Sequence, residues 1–327
     1  MRILLIKLSS LGDVVHNFPV AHDISHAFPH AQIDWCVDAP FAALVALHPA
    51  IHQVIPIRLR ALKNAWWSPR AWSNLFDDKA TLTRSTYDHV IDTQGLLKSA
   101  IVAGWTNGVV SGFDRASARE PIAARMVTRA FSVAKNQHAV TRNRALAAAA
   151  LGYAIPADCD YGMSTTTPTP RAERRVFFLH GTSRDDKSWP MHAWISLAQA
   201  LSARGFCITI LSGSAAEFAR SQAIVAAMPH AQTDVQAMPM RPLAETAALL
   251  AQAHAVVGVD TGLAHLAVAL GRPTVGIYLT TDPARTGLFA ATGVACENVV
   301  GVRGGSRDNP GEVSVAAVLA AFDRITT

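Results

Sequence analysis

Short, unbroken apolar runs alternate along the chain with longer stretches in which apolar residues recur at helical spacing. In the first half the runs lie at residues 2–8, 33–37, 54–57 and 89–92, and in the second half at 175–180, 207–211, 256–259 and 274–278. Stretches of helical length separate them, among them 193–203, 215–227, 242–253 and 263–270. Strands that alternate with helices in this way indicate a parallel, doubly wound sheet, so the sequence predicts an α/β protein.

One stretch between the two halves lacks this periodicity. Residues 158–170 are rich in Thr and Pro, which is typical of a linker. We therefore predict two α/β domains, residues 1–157 and 174–311, joined by a linker at 158–173. Open α/β sheets bind ligands beyond the carboxyl ends of their strands, so we expect a site in a cleft between two such edges.

Composition narrows the class of protein. The 327 residues suffice for two domains, and 50% of them are hydrophobic, which excludes a largely disordered chain. Glu245, Gln252 and His254 interrupt the most hydrophobic stretch, so no run reaches the roughly 18 residues of a membrane span. The first residues lack the apolar core of a secretory signal. The four Cys residues are far apart and without metal-ligand spacing, so we expect reduced thiols in a cytoplasmic protein.

Charge is unevenly distributed. Residues 1–155 carry 16 Lys and Arg against 10 Asp and Glu, whereas residues 156–327 carry 13 against 14. This excess favours a polyanion or an anionic membrane surface as the partner of the first domain.

One segment of the first domain interleaves cations with aromatic residues: Arg58, Arg60, Lys63, Arg70, Lys79 and Arg84 with Trp66, Trp67, Trp72 and Phe76. Two interpretations remain open. One is an ordinary amphipathic surface with its aromatic side chains buried beneath it. The other is an arm that binds phosphate or anionic lipid headgroups, with the aromatic rings in the interface. No nucleic-acid motif accompanies the segment, so nucleic acid is not expected.

The turn after the first predicted strand carries Ser9, Ser10, Gly12 and Asp13 in place of a dinucleotide-binding G-x-G-x-x-G, and no P-loop motif occurs in the chain. Asp13 opens a helix there. It is either a helix cap, a position that Asp favours, or a general base that accepts a proton from an attacking hydroxyl.

The turn after the strand at 175–180 carries groups that bind phosphate. Thr182, Ser183 and Lys187 supply two hydroxyls and an ammonium group beside a flexible glycine. Such groups, together with backbone N–H groups, hold a diphosphate. The alternative is a solvated loop in which its two Asp residues pair with its Arg and Lys.

A second turn of this kind follows the strand at 256–259. Asp260 ends that strand and can accept hydrogen bonds from sugar hydroxyls. The N–H groups of Thr261 and Gly262 open a helix and can face an anion, and His265 lies one turn further on the same helix face. Together the two turns favour an anionic ligand that bears hydroxyls.

These motifs, in their order along the chain, resemble those of the bacterial lipopolysaccharide heptosyltransferases of glycosyltransferase family 9, and most closely those of the type I members. The resemblance rests on residues 7–16 (KLSSLGDVVH), on 182–190 (TSRDDKSWP) with 259–266 (VDTGLAHL), and on 92–99 and 118–121. It covers nearly the whole chain in order and spacing. It implies a GT-B fold, in which two Rossmann-like domains face a cleft and a final helix, residues 312–327, packs back toward the first domain.

The resemblance also implies a role for each matching residue, with Asp13 as the catalytic base. It assigns to the sugar donor Thr182, Ser183, Lys187, Glu217, Asp260, Thr261, Gly262 and His265. It assigns to the acceptor Lys7, Ser10, Arg60, Lys63 and Arg119. Ser183 stands where the family often has Thr, and residues 60–64 are less basic than the family's corresponding segment.

The implied reaction is inverting transfer of L-glycero-D-manno-heptose from ADP-heptose to the inner Kdo of Kdo2-lipid A. Lys187 and neighbouring donors would stabilise the leaving diphosphate, a task that a metal performs in other transferases, so we expect no metal and no cofactor. We expect a monomer that is peripheral on the inner face of the bacterial inner membrane. The alternatives are a type II heptosyltransferase or another GT-B sugar transferase, and a non-catalytic module that binds polyanions or membrane surfaces.

Overall fold

The computed structural model of the protein describes residues 1–59, 67–163, 174–182, 184–229, 234–301 and 311–327. The chain forms two compact units, Met1–Met163 and Ser164–Thr327. The division between them falls inside the predicted linker, residues 158–173.

The first unit is built on a six-stranded parallel sheet. Its strands are β1 (Arg2–Ile6), β2 (Gln32–Asp38), β3 (Ile51–Ile57), β4 (Thr86–Asp92), β5 (Asn107–Phe113) and β6 (Arg129–Phe131). Its described helices are α1 (Leu11–Val15), α2 (Phe18–Ala27), α3 (Ala42–Val45), α4 (Pro69–Arg84), α5 (Leu97–Ala103) and α6 (Ala139–Leu151).

The strand order in this sheet is β3-β2-β1-β4-β5-β6, so the order reverses between β1 and β4. All but the first residue of β1 are buried, as its unbroken apolar sequence requires of a central strand. In the register of β1 with β4, Ile6 lies opposite Asp92. The loops that begin at Lys7 and Thr93 therefore leave the sheet side by side, at the kind of switch point where α/β folds bind ligands.

The second unit repeats this plan. Its strands are β7 (Arg175–Leu179), β8 (Cys207–Leu211), β9 (Val235–Met238), β10 (Ala255–Val259), β11 (Thr274–Tyr278) and β12 (Cys296–Val300), in the order β12-β11-β10-β7-β8-β9. Its described helices are α7 (Met191–Ser202), α8 (Ala215–Ala226), α9 (Leu243–Leu250), α10 (Gly262–Ala269), α11 (Pro283–Thr286) and α12 (Val315–Thr326). Here the order reverses between β7 and β10, which places the loops after these two strands together.

The last helix, α12, contributes to the core of the second unit. Val318, Phe322 and Ile325 recur at helical spacing and are buried in that core. Phe322 meets Phe206 edge to face, with ring centroids 5.2 Å apart. The return of this helix toward the first domain, which the resemblance implied, stays a prediction.

The predicted fold class is confirmed, because both units are parallel α/β sheets with helices between the strands. The first strand ends at Ile6, two residues earlier than the apolar run predicted. None of the described helices has both the length and the apolar character of a bilayer span.

Candidate active site

The turn between β1 and α1 holds Asp13 in a fixed orientation. Ser10 caps the helix, and its N–H and Oγ donate hydrogen bonds to Asp13 Oδ2 at 3.0 and 3.2 Å. The Asp13 side chain remains 20% exposed. Both interpretations of Asp13 are therefore compatible, since the Ser10 hydrogen bonds use Oδ2 alone and the side chain stays partly exposed.

The loop after β4 holds the residues that precede this helix. Gln94 Oε1 accepts hydrogen bonds from the N–H groups of Leu8 (2.9 Å) and Ser9 (3.3 Å), and Gln94 Nε2 donates to the Ser9 carbonyl. Lys98 Nζ donates to Ser9 Oγ at 2.5 Å. Neither Gln94 nor Lys98 was assigned a role from the sequence, although both lie in the family-like segment 92–99.

Lys7 lies beneath the turn and is only 4% exposed. Its Nζ donates to the Thr93 carbonyl at 2.7 Å and to Asn143 Oδ1 at 3.3 Å. Burial lowers the pKa of Lys7 to about 8, although the negative charges of Asp13 and Asp92 oppose that shift. Lys7 thus places a positive charge below Asp13 while it ties β1 to the loop after β4.

Arg119 approaches Asp13 from a more exposed position. Its Nη1 lies 3.4 Å from both carboxylate oxygens, and its side chain is 55% exposed. Arg142 is a further cation of this region. Burial lowers its pKa, and the positive charge of Arg119 lowers it further. This part of the first unit combines an oriented carboxylate with several cations, which suits an anionic molecule that carries a nucleophilic hydroxyl.

In the second unit, Lys187 and Asp260 meet across the switch point. Lys187 Nζ lies 2.6 Å from Asp260 Oδ2, and His265 Nε2 lies 3.8 Å from Asp260 Oδ1. Burial alone would raise the pKa of Asp260, but the neighbouring His265 and the hydrogen bond from Lys187 outweigh burial and hold the pKa well below its usual range. Asp260 is therefore an ionised hydrogen-bond acceptor at the carboxyl end of β10.

The solvated-loop interpretation of residues 180–190 holds only in part. Arg184 pairs with Asp186 as that interpretation expected. Lys187 instead reaches Asp260, 73 residues further along the chain. The loop therefore presents its ammonium group to the switch point.

A cavity of about 250 Å³ lies at the same sheet edge. It is lined by Leu179, Gly181, Thr182, Leu211, Gly213, Glu217, Thr261 and Leu263. Thr182 Oγ1 is buried and has no hydrogen-bond partner among the described residues. Thr261 caps α10, whose first N–H groups have no partners within the helix. The cavity thus offers uncommitted donors to an anion.

Glu217 is fixed at the other side of this cavity. Its Oε2 accepts a hydrogen bond from the Gly213 N–H at 2.6 Å. A Cβ atom at Gly181 would lie 2.2 Å from the same oxygen, so the carboxylate fits against the turn only because residue 181 is glycine. Glu217 was assigned to the donor from the sequence, whereas Gly181 and Gly213 were not.

Comparison with known proteins identifies the family. Glycosyltransferase family 9 (heptosyltransferase) matches residues 78–303. Lipopolysaccharide heptosyltransferase 1 of Pseudomonas aeruginosa is 43% identical over 302 residues, which cover 90% of this chain and 83% of that protein. The chain belongs to glycosyltransferase family 9.

Solved structures of family 9 members have the same fold. The Escherichia coli heptosyltransferase WaaC with ADP superimposes with a TM-score of 0.89 at 35% identity and covers 99% of both chains. The same enzyme with ADP-2-deoxy-2-fluoro heptose gives a TM-score of 0.87 over the same share of both chains. The architecture is thus of the GT-B type, and the protein is a glycosyltransferase that transfers heptose in lipopolysaccharide core biosynthesis.

Most of the assigned residues of this family 9 glycosyltransferase fall into three groups. Ser10, Asp13 and Arg119 meet at the first turn, with Lys7 beneath them. Lys187, Asp260 and His265 form the second group, and Thr182, Glu217 and Thr261 line the cavity, beside Gly262 at the start of α10. Arg60, Lys63 and Ser183 lie outside the described residues.

Within the described ranges, no three His, Cys, Asp or Glu side chains are arranged to hold a metal ion. The expectation of catalysis without a cofactor stays a prediction.

Proposed function

We propose that the protein transfers L-glycero-D-manno-heptose from ADP-heptose to the inner Kdo of Kdo2-lipid A, with inversion at the anomeric carbon. The observation that carries this proposal is Asp13, an oriented and partly exposed carboxylate among cations at the switch point of the first sheet. The donor is supported by the E. coli structures with ADP and with ADP-2-deoxy-2-fluoro heptose. The acceptor is supported by similarity to a lipopolysaccharide heptosyltransferase 1.

On the acceptor side, Asp13 acts as the general base. Ser10 holds its Oδ2, and the carboxylate takes the proton of the attacking Kdo hydroxyl as the new glycosidic bond forms. The bond from the anomeric carbon to ADP breaks on the opposite face, which inverts the configuration. Arg119 binds the anionic acceptor, and Lys7 keeps the positive charge beneath the turn.

On the donor side, negative charge accumulates on the departing ADP. Lys187, the Thr182 hydroxyl and the N–H groups at the start of α10 stabilise that charge where a metal acts in other transferases. Asp260 accepts hydrogen bonds from heptose hydroxyls, with His265 orienting it, and Glu217 binds the ribose of the nucleoside. We propose transfer without a metal ion or other cofactor, and we expect the rate to be the same with and without a chelator.

We place this reaction at the inner face of the bacterial inner membrane, where a lipid acceptor is held, and we expect the enzyme to act as a monomer. The basic excess of residues 1–155 supports an anionic partner for the first unit. Light scattering of the purified enzyme tests the oligomeric state.

The test of the proposal is the Asp13→Asn variant. It keeps the shape of the side chain but cannot take up the proton, so we expect transfer to fall by about 10²- to 10⁴-fold, the usual contribution of a general base. Affinity for ADP, measured by calorimetry, should change by no more than several-fold. Mass-spectrometric detection of heptosylated Kdo2-lipid A gives the rate.

Asp88→Asn serves as the matched control, because Asp88 lies in the same unit and accepts a hydrogen bond from the Arg2 N–H. It should transfer heptose at the wild-type rate. Retained turnover in Asp13→Asn would refute the base assignment. Activity on an acceptor that already carries a heptose, with none on Kdo2-lipid A, would point instead to a type II enzyme.

A further inference from the structure

The longest described helix of the first unit, α4, presents aromatic side chains to solvent. Trp67 just before it is 69% exposed, Trp72 is 43% exposed and Phe76 is 62% exposed. The Trp72 and Phe76 rings lie next to each other, with centroids 6.4 Å apart. The sequence had left open whether these aromatic side chains are buried beneath the surface, and for these three the structure shows that they are not.

A different side of α4 packs on the sheet. Ala71, Asp78 and Leu82 are the buried residues of the helix and recur at helical spacing. Trp72 and Phe76 are one turn apart on another side, so their exposure does not come from a helix that is detached from the fold. Among the exposed large apolar side chains of the described residues, all the aromatic ones lie between residues 67 and 76. We call Trp67, Trp72 and Phe76 the aromatic face.

The helix that carries the aromatic face also carries exposed cations. Arg70, Lys79 and Arg84 are exposed on α4, while Asp77 is the exposed acid of the helix. The other acid, Asp78, is neutralised by an ion pair with Arg58. Exposed aromatic rings with a surplus of Lys and Arg are typical of helices that lie in the interface of an anionic bilayer.

The aromatic face also lies toward the reactive edge of its own unit. Arg58 directly follows β3, and its N–H donates to Asp78 Oδ2 at 2.8 Å, while its guanidinium donates to the Asn74 carbonyl. The middle of α4 is therefore tied to the carboxyl end of β3. Because the strands are parallel, that end belongs to the same sheet edge as the turn that carries Asp13.

We propose that the aromatic face, with Arg70, Lys79 and Arg84, docks the enzyme on an anionic phospholipid bilayer. The aromatic rings enter the headgroup region and the cations contact lipid phosphates. This inference rests on the proposed function, because a lipid acceptor requires a soluble active site to reach a bilayer. It goes beyond that function in assigning the contact to one surface.

The direct test is binding to vesicles, measured by flotation. Wild-type enzyme should bind vesicles of phosphatidylcholine with phosphatidylglycerol, and bind phosphatidylcholine alone at least tenfold more weakly. Trp72→Ser/Phe76→Ser should lose at least tenfold in affinity for the anionic vesicles. Arg70→Gln/Lys79→Gln should lose about fivefold for each cation removed. Met240→Ser, which removes an apolar side chain 65% exposed in the second unit, is the control and should bind like the wild type.

Several results would overturn the docking proposal. They are absence of vesicle binding by the wild type, equal binding of neutral and anionic vesicles, and undiminished binding by the aromatic variant. Association of the wild type with a second protein through these residues, without any vesicle binding, would also overturn it. The replaced side chains are exposed, so the thermal midpoint of each variant should match the wild type and confirm folding.

An activity measurement separates this proposal from the proposed function. With a deacylated, water-soluble Kdo acceptor, Trp72→Ser/Phe76→Ser should transfer heptose at the wild-type rate. With Kdo2-lipid A embedded in anionic vesicles, the same variant should lose at least tenfold in kcat/KM. Vesicle binding without transfer to either acceptor by the wild type would refute the proposed function and leave the docking surface standing. Equal loss on both acceptors would refute the docking surface.

Discussion

At the scale of the residue, Lys187 and Asp260 form an ion pair, and the proposed sugar-diphosphate donor would compete with each partner for the other. The side chains of Lys187 and Asp260 are only 18% and 11% exposed, so each charge compensates the other in a largely buried environment. A diphosphate attracts Lys187, and a sugar hydroxyl can donate to Asp260. The pair therefore keeps Asp260 ionised and both side chains in place until the donor binds.

Replacing Lys187 alone should separate its role in donor binding from its role in stability. In Lys187→Met, we expect both donor affinity and transfer rate to fall, and the free energy of unfolding to drop by about 2 kcal/mol, because the Asp260 charge loses its cation. The double variant Lys187→Met/Asp260→Asn removes that charge, so stability should return while transfer does not. Urea unfolding and transfer assays measure the two effects. Unchanged kinetics in the single variant would exclude Lys187 from the site.

Lys7 illustrates a residue whose type could be predicted and whose environment could not. The resemblance assigned it to the acceptor, but its ammonium group donates to the Thr93 carbonyl and to Asn143, which lies 136 residues away in the chain. The hydrogen bond to Asn143 depends on how α6 packs in the folded protein, so the residues next to Lys7 in the sequence could not predict it. Asp13 differs, because its partner Ser10 is three residues away and the helix start was recognisable.

The buried position of Lys7 makes a pH-dependent contribution to stability. Its pKa in the folded protein, about 8, lies below the ordinary value of 10.5, so the unfolded chain binds more protons between these values. The contribution is thus fully present above pH 10.5 and is lost as the pH falls through 8. We expect the free energy of unfolding of wild type, relative to Lys7→Met, to rise by up to about 3 kcal/mol across that window.

Urea unfolding of both proteins at several pH values measures this difference, and Lys135→Met at an exposed position controls for the substitution itself. A difference that stays constant with pH would show that Lys7 is not held in a desolvated environment.

At the scale of the element, most inner strands could be predicted and most outer ones could not. The exceptions are the outer strand β3, which the run at 54–57 predicted, and the inner strand β5, which no predicted run matched. β1, β7 and β10 are buried on both faces, and their sequences are continuously apolar. β6, β9 and β12 lie at sheet edges. The short sequences of β9 (VQAM) and β12 (CENVV) contain polar residues and therefore look like loops. Their pairing comes from the neighbouring strand, so only the assembled sheet reveals them.

The turn after β7 and the helix α8 depend on each other through Gly181 and Glu217. In Gly181→Ala, the added Cβ would meet Glu217 Oε2 at 2.2 Å, so the carboxylate must turn away and lose its bond from the Gly213 N–H. We expect about tenfold weaker ADP binding, which corresponds to the loss of a hydrogen bond to a charged group. Calorimetry with ADP measures the affinity.

The Glu217→Ala variant and the double variant complete this test. If Gly181 acts only by making room for the carboxylate, Gly181→Ala should have no further effect once Glu217 is absent. Additive losses would show that Gly181 serves the cavity independently of Glu217.

At the scale of the whole molecule, the two units share one strand order and each carries its candidate functional loops at the switch point of its own sheet, but the units differ in charge. The basic excess lies in residues 1–155, whereas residues 156–327 are nearly neutral. In the proposed function, the first unit attracts an anionic surface through its overall positive charge. The second unit instead binds its ligand through a few hydrogen-bond donors such as Lys187 and Thr182. Net charge therefore predicts an anionic partner for the first unit, but it does not predict the cavity in the second unit.

Each unit also contains a buried histidine whose pKa is strongly lowered, and this gives the whole molecule a defined response to acid. His48 and His180 are both 1% exposed, and burial lowers the pKa of each to about 4, well below the ordinary 6.5. Their contribution to stability is therefore present above pH 6.5 and is lost as the pH falls through 4.

We expect a loss of about 3 kcal/mol for each histidine across that window. His48→Asn should preserve the first unit at low pH, and His180→Gln the second, because neither replacement takes up a proton. Hydrogen exchange of peptides from β1 and β7 reports on the two units separately, with His30→Asn at an exposed position as the control. If each variant protected both units equally, acid unfolding would be a single event for the molecule, and the assignment of one histidine to each unit's acid response would be wrong.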